Sequence, residues 1–178
     1  MSNPVVAERY ALALYQVGKE QNLSGQIDEE LKTIKKVLVQ NPGFIGLLKT
    51  PKLSVDDKRN LIRQSFPNVS PAVINTFMLL ADRHREDIMV EVADSYINLL
   101  NEERGIAEAT VYSVRALTAD ETKAISVVFA PKVGKQTLNI ENVVDPNLLG
   151  GVKVRIGNRI FDGSLRGKLD RLGRKLTS

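Results

Sequence analysis

The chain has 178 residues, 43% of them apolar and 26% charged, the balance of an ordinary soluble domain or of two small ones. It has no cysteine, which excludes a disulfide framework, a thiol nucleophile and a cysteine zinc site, and no apolar run nears the roughly 20 residues of a membrane span. The net charge of +4 is unevenly placed: residues 1–105 hold 13 Lys/Arg against 14 Asp/Glu, and residues 106–178 hold 12 against 7.

Up to about residue 104 the apolar spacing is helical. Val6, Tyr10, Leu14 and Val17 recur at steps of four, four and three and line one face of a first helix, with Pro4 in its first turn. Leu23, Ile27, Leu31, Ile34 and Leu38 repeat the pattern until Asn41-Pro42-Gly43 ends it. A short segment with Phe44, Leu47 and Leu48 stops at Thr50-Pro51. Ser54 then caps a helix with Asp56 and Asp57 in its first turn, which would bury Leu61, Ile62 and Phe66. Ser70 is another cap, followed by Pro71 in the first turn of a helix with Ile74, Phe77, Met78 and Ala81 on one face. The last begins near Glu86, carries Ile88, Val92, Tyr96 and Leu99, and stops at Gly105. Six helices with short connections predict an antiparallel bundle over 1–105.

After Gly105 the period changes. Ile106–Val114 reads as a strand, and Thr118-Ala119-Asp120-Glu121 is a capping box opening a helix with Ile125, Val128 and Phe129 that stops near Pro131. Thr137–Val143 reads as a second strand. Val152, Val154 and Ile156 alternate with Lys153 and Arg155, and Gly157-Asn158 turns the chain into Arg159–Asp162. A final helix carries Leu165, Leu169, Leu172 and Leu176. The expected fold is α+β, mainly α: a six-helix antiparallel bundle at 1–105, then a small β-α-β-β-α domain at 106–178.

Candidate chemistry is sparse. The one histidine, His84, sits in the hydrophilic run Asp82-Arg83-His84-Arg85-Glu86-Asp87 and reads as exposed. No serine has a nucleophile-elbow context, and Gly150-Gly151 lacks the pattern of a phosphate loop, reading instead as a tight turn or close backbone approach. Asp28-Glu29-Glu30 occupy adjacent helical positions and are expected to fan outward rather than converge on a metal. The expectation is a non-catalytic chain with no cofactor. Met1-Ser2-Asn3-Pro4 leads into no basic region followed by an apolar stretch, so no secretory signal is expected and the default is a cytosolic protein.

Two stretches suit partners. The first helix adds Ala7, Ala11, Leu12, Ala13 and Tyr15 to its stripe and is apolar on most of its circumference. It is either central to the bundle or one wall of a groove for another helix. The final helix combines its leucines with Arg166, Lys168, Arg171, Arg174 and Lys175, so it either covers the small sheet or docks an acidic helix. Nucleic-acid binding is the rival class, but aromatics make up only 5% and no RNP-like or GXXG signature is present.

Val144 to Leu169, with Asp145-Pro146, Leu148-Leu149-Gly150-Gly151, Gly157-Asn158 and Asp162-Gly163-Ser164-Leu165, closely resembles the C-terminal signature of the ATP synthase delta family. The mitochondrial counterpart in that family is the oligomycin-sensitivity-conferring protein. Ala7-Glu8-Arg9-Tyr10-Ala11-Leu12-Ala13-Leu14-Tyr15 is similar to its opening helix, and Phe44–Pro51, Leu79–Arg85 and Asn101–Val111 follow in order. The resemblance implies a structural subunit joining the catalytic head of an F-type ATP synthase to its peripheral stalk, one copy per complex. It implies a peripheral position at the cytoplasmic face of a bacterial plasma membrane. It further implies a groove for the N-terminal helix of an alpha subunit, with Val6, Tyr10, Ala13, Leu14 and Val17 on one wall and Thr76, Leu79, Leu80 and Arg83 on the other. The C-terminal helices of the b subunits would meet Gly150, Gly151, Leu165, Arg166, Lys168, Leu169, Arg171, Leu172 and Leu176.

Overall fold

The structure, a computed structural model, describes residues 3–169. The class is α+β and mainly helical, and the chain divides into two compact units, Met1–Leu100 and Asn101–Ser178. The division falls within the last turns of a helix, ahead of the glycine that was expected to mark it.

The first unit holds α1 (Asn3–Glu20), α2 (Ser24–Gln40), α3 (Pro42–Leu48), α4 (Val55–Ser65) and α5 (Pro71–Asp82). A 3-10 turn at Glu86–Ile88 then leads into α6 (Met89–Glu103), so the helix expected from Glu86 starts three residues later. Its core gathers Ala7, Ala11 and Leu14 with Ile27, Leu31, Ile34 and Leu38, then Ile62, Phe77, Val92 and Tyr96. Tyr96 is fully buried, yet its hydroxyl reaches the Ser24 carbonyl at 3.3 Å, which satisfies the polar end of the ring. Ser54 forms its capping box with Asp57 as its residue type and spacing require. Ser70 does not cap α5 through its side chain. Its hydroxyl and amide instead donate to Glu30 at 2.7 and 3.0 Å, a tie between α5 and α2.

Two helical faces are turned from their expected positions. On α1 the buried line is Val6, Ala7, Ala11, Leu14 and Gly18, leaving Tyr10 half-buried and Val17 exposed. On α5 it is Val73, Phe77, Leu80 and Ala81, with Ile74 and Met78 half-buried at its flank. Asp28, expected to point outward, is buried and paired with Lys32 at 2.9 Å.

In the second unit β1 (Ile106–Ser113) lies between β2 (Thr137–Val144), which is parallel to it, and β3 (Val152–Ile156), which is antiparallel; β4 (Arg159–Asp162) pairs with β3. The parallel pair needs a crossover, supplied by α7 (Ala119–Phe129), whose capping box joins Thr118 to Glu121. Ala109, Val111, Leu138, Val154 and Ile156 make a small core with Ala130. Ile125 and Phe129 are half-buried against it, whereas Val128, expected beside them, is exposed. Ser126 Oγ accepts from the Leu138 amide at 2.8 Å, pinning α7 to the edge strand. Asn142 donates to the Val111 carbonyl and to Ser113 Oγ, and accepts from the Leu117 amide. No described helix is long and apolar enough to cross a membrane.

Candidate functional site

The residues singled out in the first unit separate into core and surface. α1 packs on α2 and α5, and two of its alanines, Ala7 and Ala11, are fully buried in the core, while Ala13 is exposed. Val6 and Leu14 are buried with them, and so is Leu80 of α5, which shares its face with Val73 and Phe77. The core takes the side chains of these three, all expected on the walls of a groove. Along the flank of the same helices lie Tyr10, Ala13 and Val17 on α1 and Thr76, Leu79 and Arg83 on α5. Val17 is 37% and Leu79 44% exposed, a high fraction for branched apolar side chains. The Thr76 hydroxyl donates to its own helix at Ala72, 2.8 Å away, so it needs nothing from a partner.

The corner after α5 is a hydrophilic run in sequence and is ordered by charge in the fold. Lys58 of α4 donates to Glu86 at 2.7 Å, and both side chains are buried. Arg59 donates twice to Asp82, at 2.9 and 2.6 Å. The Arg59 hydrogen bond holds the Asp82 carboxyl below its ordinary range, and Asp82 in turn raises the guanidinium. Sequence spacing alone could not have paired these residues, which lie on different helices.

In the second unit the segment from Asp145 to Gly167 folds back on itself. Asp145 caps a 3-10 turn at Pro146–Leu148 through the Asn147 amide. Leu149, Gly150 and Gly151 then all have positive φ, at 61°, 150° and 76°. This brings the backbone against the turn before the last helix: Leu165 N–H donates to the Gly150 carbonyl and Gly163 N–H to that of Val152, both at 3.0 Å. A Cβ on Gly151 would stand 2.6 Å from the Gly163 carbonyl oxygen. Gly150 and Gly151 therefore serve the close approach directly. Asp162 accepts from both the amide and the hydroxyl of Ser164, and Ser164 Oγ accepts from the Gly167 amide, starting the helix at 165–169.

On that scaffold Leu165 and Leu169 are exposed, at 49% and 60%, beside exposed Arg166 and Lys168. Leu149 and Ile160 add uncovered apolar surface. Arg171, Leu172 and Leu176 lie outside the described residues. Among those described, no group of three or more His, Cys, Asp or Glu is placed to hold a metal ion. The arrangement offers surfaces for packing and charge.

Residues 6–176 match the family model described as ATP synthase delta (OSCP) subunit. A protein of Geobacillus sp. (strain WCH70) named ATP synthase subunit delta is 52% identical over 99% of both chains. One of the same name from Anoxybacillus flavithermus is also 52% identical over 99% of both. A chain in the cryo-EM structure of the Toxoplasma gondii mitochondrial ATP synthase hexamer has the same fold, with a TM-score of 0.72 at 22% identity over 97% of each chain.

Proposed function

The chain belongs to the ATP synthase delta (OSCP) family and is a subunit of an F-type ATP synthase, and on that premise we propose that it is a non-catalytic stator element. It links the N-terminal helix of an alpha subunit in the catalytic head to the C-terminal helices of the b subunits in the peripheral stalk. The head is then held against rotor torque, one copy of this chain serving each complex at the cytoplasmic face of a bacterial plasma membrane. Residues 1–105 would take the head and 106–178 the stalk.

The observation that carries the reading is that each of the two compact units has its own core and leaves apolar side chains uncovered: Val17 and Leu79 in the first, Leu165 and Leu169 in the second. Two sites of helix-in-groove type in series suit a tether, since each can hold a long-lived contact without chemistry. The basic second half suits an acidic stalk helix and should speed its association.

The test is a titration of the full chain against a catalytic head stripped of this subunit, and separately against the isolated stalk helices of the b subunits. Leu79→Asp should weaken the head contact at least about tenfold and spare the stalk; Leu165→Asp with Leu169→Asp should do the reverse. Salt should weaken the stalk contact more than the head contact. A wild-type chain that fails to bind the head refutes the proposal.

A further inference from the structure

The segment Asp82-Arg83-His84-Arg85-Glu86-Asp87 reads as near-neutral, but the fold sorts its charges by direction. Each acid faces a cation from another part of the first unit: Asp82 takes two bonds from Arg59, Glu86 is buried against Lys58, and Asp87 lies 4.0 Å from Lys49. Arg83, His84 and Arg85 are all exposed. The turn itself is fixed by backbone bonds. Arg85 N–H reaches the Leu80 carbonyl at 2.9 Å and His84 N–H that of Ala81 at 3.1 Å, the pattern of a Schellman helix end. His84 occupies its left-handed position with φ 54°, where glycine is the usual residue.

Leu79 precedes Arg83 by four residues, so an exposed apolar side chain and an exposed guanidinium adjoin on one flank of α5. We infer that this basic tip is the charged end of the head-binding surface. It receives carboxylates from an acidic amphipathic helix of the head whose apolar stripe lies on Leu79. The inference rests on the stator reading and specifies its recognition chemistry. Complementarity follows from the sorting. Were the run unsorted, a partner would meet carboxylates as often as cations; with every acid already paired, it meets the two guanidiniums of Arg83 and Arg85. They also offset the partial negative charge at the C-terminus of α5, which would otherwise repel an incoming carboxylate.

The experiment titrates full-length variants against the stripped head at low and high salt. Arg83→Gln with Arg85→Gln should weaken binding about three- to tenfold and flatten its salt dependence; the double Glu variant should weaken it further. The double Lys variant, which keeps both charges, should bind like the wild type. His84→Gly keeps both arginines and should also bind unchanged, separating their charge from the shape of the turn. A Gln pair that binds as tightly as wild type, with the same salt dependence, overturns the inference, while loss of binding in Leu79→Asp would leave the stator reading standing. Weakening by His84→Gly equal to that of the Gln pair also overturns it. A wild-type chain that does not bind the head overturns the stator reading and this contact with it.

Discussion

The Lys58–Glu86 pair is the most exposed of the structure's features to a decisive perturbation. Its side chains are 5% and 3% accessible, and it joins α4 to the turn ahead of α6 at 2.7 Å. Replacing Lys58 with Met keeps the volume and apolar stem but leaves the Glu86 carboxylate without its cation. Removing one member of such a buried pair costs about 3–5 kcal/mol, against about 5–15 kcal/mol for the stability of a whole domain. Lys58→Met should therefore take roughly a fifth or more of the first unit's stability. The double variant Lys58→Met with Glu86→Met removes both desolvation penalties and should return to about wild type or above it. The assay is urea unfolding followed by tyrosine emission. Tyr10, Tyr15 and Tyr96 lie in the first unit and only Tyr112 in the second, so the signal reports mainly the unit under test. Arg59→Gln is the control, since its pair with Asp82 is screened by water and should matter far less. A Lys58→Met variant within about 1 kcal/mol of wild type refutes the reasoning, because it would mean the carboxylate reaches water.

Three further outcomes follow from local geometry. The Glu121 carboxyl is lowered to about 2, chiefly by its hydrogen bond from Arg115 and then by the Thr118 amide. The link to α7 stability is thus complete above the ordinary value of 4.5 and lost as pH falls through about 2. A carbon-detected NMR titration should place the Glu121 midpoint there, and Arg115→Gln should move it upward. Gly151→Ala forces a Cβ to 2.6 Å from the Gly163 oxygen at φ 76°, and should cost the second unit about 1–3 kcal/mol, read by hydrogen exchange at Val154. His84→Gly removes a left-handed non-glycine residue and should raise the first unit's urea midpoint, by about 0.5–1 kcal/mol in stability.

What could be read in the sequence was local. The helix cap at Ser54, the capping box at Thr118, the Gly157-Asn158 turn and the period-two run at Val152–Ile156 are each formed by residues close together in the chain. The turned faces of α1 and α5 show why packing was less legible. Periodicity gives weight to large apolar residues, so Tyr10 and Val17 drew the stripe on α1. Helices approach most closely where side chains are smallest, and Ala7, Ala11 and Gly18 take that place; a Cβ on Gly18 would lie 3.0 Å from both Ile27 Cδ1 and the Tyr96 hydroxyl. Leu80 was set on a groove wall by the family resemblance, and its inward position follows from tertiary contact and not from its type. The inter-helix ion pairs carry no sequence signal: Lys58 and Glu86 are 28 residues apart, and nothing in either neighbourhood names the other. The resemblance to a family supplied the proposed docking surfaces, which periodicity left undecided.

The two parts of the proposed head contact should also differ in time. Exposed charges at the rim of an interface act mainly on encounter, whereas a buried apolar anchor sets how long the complex lasts. Arg83 and Arg85 are exposed at the tip of a turn, and Leu79 offers an apolar side chain beside them. Neutralising the two arginines should then lower the association rate and its salt dependence, with little change in dissociation. Leu79→Asp should instead speed dissociation, because its carboxylate must be desolvated in the bound state. For a stator the second effect is the serious one: torque acts on the formed complex, and slow dissociation keeps the head in place. Stopped-flow mixing with the stripped head separates the two rates directly. If the arginine pair changes only dissociation and leaves association untouched, the tip belongs to the buried part of the contact and its role as a steering charge is wrong.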